Sequence, residues 1–221
     1  MPKLSKNPKM QALPGSSQVS SDVPGHAGVM TLNALDLANH FLIAMPSMPD
    51  PVFSGTVVYL CEHNSQGALG MVINRPTDMC IDDLLDRVEL AGEKAPEYLA
   101  IADRPVMFGG QVQEDRGFVL HTPAANYSST LKVTDQIAFT TSRDVLEAIA
   151  TGHGPSQFLI SVGYSGWSPG QLEDEISRNA WLTVLADPAV LFDVPFDARY
   201  AAAIKLLGID PMMLASEAGH A

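Results

Sequence analysis

Phe158-Leu159-Ile160-Ser161-Val162 is a short apolar run rich in strand formers, fenced by Gly152, Gly154 and Pro155 on one side and Gly163 on the other. That pattern predicts a buried strand. Gly163 and Gly166 bracket Tyr164 and Ser165 and predict a turn. Ser168-Pro169 predicts a helix entry, with serine as N-cap and proline at the first helical position. Leu172 and Ile176 lie four apart on its buried face. Glu173, Asp174 and Glu175 fall near the helix start, where the macrodipole favours negative charge, and read as solvated. Asn179 stops the helix and Trp181–Leu185 resumes as a strand.

The same patterning orders the rest of the chain. Phe41–Ala44 ends in a strand. Residues 45–51 must be a loop, because Pro46, Pro49 and Pro51 exclude a helix or a central strand; this loop is a candidate lip over a groove. Thr56–Cys61 and Leu69–Asn74 predict two strands joined by a hairpin at Asn64-Ser65-Gln66-Gly67, and Arg75-Pro76 ends the second. Ile81, Leu84, Leu85 and Val88 recur at helical spacing. Residues 89–104 read as a polar connection. Pro105–Phe108 leads into Gly109-Gly110, and Gly117–His121 predicts another strand. Leu131–Val133 and Ile137–Thr140 form a further pair. Ser142 caps a helix with Val145, Leu146 and Ile149 on one face, ended by Gly152. Asp197 caps a last helix with Tyr200, Ile204 and Leu207 as its apolar stripe, ended by Gly208. Seven or eight strands and four helices, with strand pairs between the helices, exclude a strictly alternating doubly wound sheet. They predict a mixed α/β (α+β-like) domain over residues 31–221. Residues 1–30, rich in Ser, Pro, Gly and Lys, read as a disordered tail.

Charge narrows the function. Lys3, Lys6, Lys9 and Asp22 give the first thirty residues +2, so a total of −12 leaves −14 on the remainder. The basic residues beyond the tail are dispersed, so direct nucleic-acid binding is not expected, nor is attraction to an anionic membrane. No apolar run approaches the ~20 residues of a membrane helix, and the N-terminal lysines precede no apolar signal region. A soluble, cytoplasmic protein is the expectation. Cys61 and Cys80 are the only cysteines and make no disulfide framework.

GYSGWSPGQLEDEISRNAW, over 163–181, resembles the signature of the AlgH/YqgE family of bacterial proteins. FLIAMPSM, FSGTVVYLCEHNSQGALGMVINRP, PVMFGGQVQEDRGFVLH and VLFDVP look like further blocks of that family in its order, so the resemblance covers about residues 32–215. One departure is Gln111, where the family pattern reads Gly-Gly-Pro-Val. The resemblance implies a mixed, largely antiparallel sheet curled toward a pseudo-barrel with helices around it. The family carries a transcriptional-regulator label without an established biochemical activity, so the resemblance implies a fold and no mechanism.

Three classes of function remain open: a module binding a small molecule or protein, an indirect regulator, and an enzyme. Ser165 does not complete a nucleophile elbow, because Gly166 follows it directly. Cys61 and His63, two apart on a strand, should share one face with Glu62 opposite. They could form a Cys–His pair or begin a metal site, but only His40 and His121 are at hand as further ligands, and no metal or cofactor is expected. Gly109-Gly110 could bring backbone N–H groups to an anion, though no phosphate-loop motif surrounds it. The candidate site therefore joins Cys61, Glu62 and His63 to Gly109 and Gly110 and to the predicted turn of Gly163, Tyr164, Gly166 and Trp167. Asn74, Arg75, Arg116, His121 and Gln171 stand at its borders. Strand ends and their loops are where open α/β sheets place ligands.

Overall fold

A computed structural model describes residues 36–90 and 95–209. The tail expected over residues 1–30 lies outside the described residues. The strands are β1 (His40–Ala44), β2 (Val57–Asn64), β3 (Gly67–Val72), β4 (Pro76–Cys80), β5 (Pro105–Phe108), β6 (Val112–Thr122), β7 (Thr130–Lys132), β8 (Ala138–Thr140), β9 (Gln157–Trp167) and β10 (Trp181–Leu185). The helices are α1 (Ile81–Arg87), α2 (Arg143–Ala150), α3 (Gln171–Ser177), α4 (Pro188–Phe192) and α5 (Arg199–Leu206), with a 3₁₀ turn at Pro96–Ala100. The strands join in one mixed sheet curled into a half-barrel, in the order β10-β1-β2-β3-β9-β6-β8-β7. β4 pairs with β5, and β5 runs parallel to β9. The other pairings are antiparallel.

The predicted elements recur, with physically informative differences. β4, the 3₁₀ turn and the first half of β6 were not legible as regular structure. β4 and the first half of β6 are polar without a period, and pairing with neighbouring strands rather than burial sets their conformation. Tyr98 of the 3₁₀ turn is nonetheless core. The predicted turn at Gly163–Gly166 is instead the second half of β9, which continues unbroken to Trp167. Along one edge, β9 pairs with Met107 and Phe108 of β5, then with Ala68, Leu69 and Gly70 of β3. At the exchange the backbones approach so closely that a Cβ on Gly163 would stand 2.2 Å from the carbonyl oxygen of Gly110, and one on Gly109 would stand 2.2 Å from that of Gly163. The double glycine therefore packs strand against strand.

The helix entry at Ser168-Pro169 is also corrected. Gln171 N–H donates to the Ser168 carbonyl at 3.0 Å, and Gly170 lies at φ 78°. This is a type II turn, with proline at its second position and glycine at its third; α3 begins only after it.

Three apolar clusters fill the two faces of the sheet. Val57, Tyr59 and Cys61 of β2 point into one with Phe41, Ile43, α4 and α5. Val58 and Leu60 point the other way, onto Leu42, Leu172 and both tryptophans. Burial on both faces explains why β2 reads as a continuous apolar run rather than an alternating one. α1, α2 and Tyr98 cover Val119, Phe158 and Ile160 in the third cluster.

Candidate functional site

One cleft has a volume of about 460 Å³. It lies where the end of β9, α3, the start of β10 and the proline-rich loop converge. Its floor is aromatic. Trp167 and Trp181 meet edge to face with centroids 6.1 Å apart, and Phe53 of the loop touches both, stacked at 6.2 Å on Trp167 and edge-on at 5.5 Å to Trp181. Aromatic pairs in such geometries add about 0.5–1.5 kcal/mol beyond their burial.

Glu175 holds this floor together. Its Oε2 accepts the indole N–H of Trp167 at 2.9 Å and that of Trp181 at 2.8 Å, and its Oε1 accepts from Gln171 Nε2 at 2.9 Å. A half-buried carboxylate thus satisfies the polar edges of two buried rings, which would otherwise be costly to bury. This overturns the reading of Glu175 as a solvated helix-start charge. Gln171 also accepts from Ser168 N–H at 3.0 Å, tying the turn to the helix.

The proline-rich loop forms the opposite wall through Met48, Asp50 and Phe53, in agreement with its reading as a groove lip. It is stapled from beneath. Asn74 accepts from Val57 N–H at 2.8 Å and donates to the Gly55 carbonyl at 2.9 Å. The Arg75 guanidinium donates to the carbonyls of Val52 and Pro51. Ser165 is buried and donates to the Gly109 carbonyl at 3.0 Å, which accounts for its hydroxyl within the fold.

The sequence candidates therefore divide. Gly166, Trp167 and Gln171 line the cleft, Asn74 and Arg75 hold its loop, and Gly109, Gly110 and Gly163 pack under it. Tyr164 turns into the core against Phe118. Arg116 is exposed and donates to Gln113. Missed were Phe53, Glu175 and Trp181 as cleft-forming groups. For Glu175 and Trp181 the distinctive stretch from Trp167 to Trp181 was the only signal, and Phe53 carried none.

The expected Cys61–His63 face does not exist. Leu60 pairs with Gly70 and Glu62 with Leu69, so Cys61 is the extra residue of a β-bulge. The bulge reverses the alternation: Cys61 points into the core with Tyr59, while His63 emerges on the opposite face. There its Nδ1 accepts from Leu37 N–H at 3.1 Å and its Nε2 donates to Glu173 at 3.1 Å. Glu62 is exposed and accepts from Asn64 at 2.8 Å. Burial, then the Glu62 charge, push the Cys61 thiol up, away from the thiolate form. Iodoacetamide at pH 8 is expected to label Cys80 on the native protein but Cys61 only in urea, as read by peptide mass spectrometry. Native labelling of Cys61 at the rate of a free thiol would contradict this. Among the described residues, no group of three or more His, Cys, Asp or Glu stands together as a metal site.

His121 lies apart from the cleft and is fully buried. Its Nε2 meets Thr140 Oγ1 at 2.8 Å, and its Nδ1 meets the Pro123 carbonyl at 3.1 Å. Burial lowers its pKa below 6.5, against a smaller opposing effect of the Pro123 carbonyl. A depressed histidine pKa means that the unfolded chain binds the proton more readily. The stability it contributes is present above pH 6.5 and is lost as pH falls toward the folded value. The unfolding free energy should decline by up to about 1.4 kcal/mol per pH unit in that window, and His121→Gln should lose this slope. Urea midpoints measured from pH 7.5 to 5 would show it; equal slopes in the two proteins would refute it.

Comparisons place this architecture among known proteins. The AlgH-like family model matches residues 41–212. A UPF0301 protein from Ralstonia nicotianae is 58% identical over 187 residues, covering 85% of this chain and 96% of that protein. A UPF0301 protein from Cupriavidus pinatubonensis is 59% identical with the same coverage. The solution structure of the AlgH protein from Pseudomonas aeruginosa has a TM-score of 0.69 at 47% identity, covering 90% of this chain and all of that one. A crystal structure of a Corynebacterium diphtheriae protein, 18% identical, has a TM-score of 0.61 over 83% of this chain and 92% of that one, and shows the fold alone.

Proposed function

This chain belongs to the AlgH-like family, and from that premise we propose that it is a binding module whose ligand site is the tryptophan-floored cleft. The observation that carries the reading is the grip of one carboxylate, Glu175, on both indoles beneath a loop stapled by Asn74 and Arg75. Such a floor is pre-organised, so little ordering cost falls on binding. Its volume of about 460 Å³ and its apolar lining with a few polar groups suit a small organic ligand. Met48 and Phe53 would seat an apolar group, while Gln111, Gln171 and Asn179 offer amide donors and acceptors at the rim.

The two tryptophans are the only ones in the chain, so selectively excited tryptophan fluorescence reports on this site alone. Native mass spectrometry of the purified protein should reveal a bound small molecule. Titrating that molecule should shift the tryptophan emission saturably, and Met48→Lys should weaken binding at least tenfold while the protein stays folded. Affinity unchanged in Met48→Lys would remove the cleft. Co-purification of a protein and no small molecule would favour a partner-binding surface instead.

An indirect regulatory role is compatible with this reading. The −14 formal charge outside the first thirty residues opposes contact with phosphates, so regulation would pass through the bound ligand or a partner rather than through DNA.

A further inference from the structure

A second cleft, of about 200 Å³, lies between the start of β5, the start of β9 and the segment joining α4 to α5. Arg104 and Arg199 both line it. Arg199 is only 4% exposed. Its Nε donates to the Val194 carbonyl at 3.0 Å, and its Nη1 donates to the Ile73 carbonyl. Arg104 Nη2 donates to the Phe158 carbonyl at 3.1 Å, with its guanidinium carbon 5.1 Å from the centroid of the Phe158 ring. These partners are neutral. Among the described residues, no carboxylate stands within ion-pair distance of either guanidinium. The one acid in the lining, Asp193, accepts from Gln157 Nε2 at 2.6 Å.

Two like charges drawn out of water into one cleft are costly unless something compensates them. Backbone carbonyls satisfy some of the donors and neutralise none of the charge. Each guanidinium carries five N–H donors, and the bonds described use only part of them. No buried side-chain nitrogen among the described residues lacks a partner, so the guanidinium nitrogens without a described bond, Arg199 Nη2 among them, reach accessible surface. The walls around them are apolar, with Met107, Phe192, Val194 and Phe196.

We infer that this cleft is a binding site for a small monocarboxylate with a compact apolar body, its carboxylate held by Arg104 and Arg199 and its body seated against Phe192, Val194 and Phe196. Guanidinium forks match carboxylate geometry. The volume admits a ligand the size of a short branched-chain or aromatic acid, and the apolar walls disfavour a fully hydrated dianion. Burial and the neighbouring Arg104 charge bring Arg199 down to about 10, consistent with cations that lack a counter-charge and still fully protonated at neutral pH.

Benzoate is the probe, titrated at constant ionic strength against chloride into the full chain and followed by ¹⁵N correlation spectra. Saturable shifts should appear at the amides of Asp193, Val194 and Phe196 and at the arginine Nε signals. Arg104→Gln should weaken benzoate binding at least tenfold, and Arg104→Lys, which keeps the charge, by less. Absence of saturable shifts, or equal affinity in Arg104→Gln, would overturn the assignment. Inorganic phosphate binding as tightly as benzoate would overturn the apolar part of it. Should Arg104→Gln fail to fold, the wild-type thermal midpoint decides: it should climb with benzoate concentration, and a flat midpoint refutes the site.

Discussion

Truncating Trp181 to alanine is expected to destabilise the protein by about 3–5 kcal/mol, the range for removing a core tryptophan. The ring is 3% exposed and touches Trp167 and Phe53, so its loss opens a cavity that two other aromatic rings line. It also removes one of the two indole donors on Glu175, leaving the carboxylate with Trp167 and Gln171. Because Trp181 opens β10, which pairs with β1, the damage should reach the sheet as well as the cleft. Urea unfolding followed by circular dichroism would measure it. A variant within about 1 kcal/mol of wild type would mean that the aromatic floor is built for ligand contact and contributes little to folding.

Placing alanine at Gly163 should cost about 2–5 kcal/mol, through two separate effects. Its φ of 71° is a left-handed conformation that costs an L-residue roughly 1–2 kcal/mol. The new methyl would also meet the Gly110 carbonyl oxygen at 2.2 Å, an overpacking that typically adds about 1–3 kcal/mol. The neighbour is backbone, next to Gly109 whose N–H donates to the Val162 carbonyl at 2.9 Å, so it cannot swing aside as a side chain would. Gly170 offers the control: it lies at φ 78° with open space around it, so alanine there should cost only the conformational part. Equal losses at the two positions would show that the close approach at Gly163 is relieved by backbone movement.

Much of the fold was legible because its signals are local. Phe41–Ala44, the Val57 run and Phe158–Val162 are apolar stretches fenced by turn residues, and each is a strand. Val145, Leu146 and Ile149 mark the buried face of α2. The proline-rich segment was legible as a loop because its composition forbids anything regular. The blocks shared with the AlgH-like family extended this to the half-barrel as a whole.

The residues of the candidate clefts were legible only in part. Trp167 and Gln171 lie in the most distinctive stretch of the chain and do border the main cleft. Glu175 was misread because spacing places it near the start of a helix, where an acidic residue ordinarily faces water. Its two indole partners sit at the end of β9 and the start of β10, and spacing alone does not show that both rings fold back onto one carboxylate. Arg104 and Arg199 are ninety-five positions apart in the numbering and share a cleft only because β5 and the α4–α5 segment converge on the start of β9.

The order of residues by itself determined most of the apolar strands and the helices with a clear apolar stripe, and that runs such as Phe158–Val162 are buried. Short-range periodicity and turn chemistry are enough for that. Only the tertiary structure decided which face each side chain occupies and which distant groups meet. The bulge at Cys61 shows why. One extra residue against Leu60 and Glu62 reverses the two-residue alternation, so Cys61 enters the core while His63 leaves on the opposite face toward α3. That register is set by pairing with β3, a partner whose position the β2 segment alone does not encode.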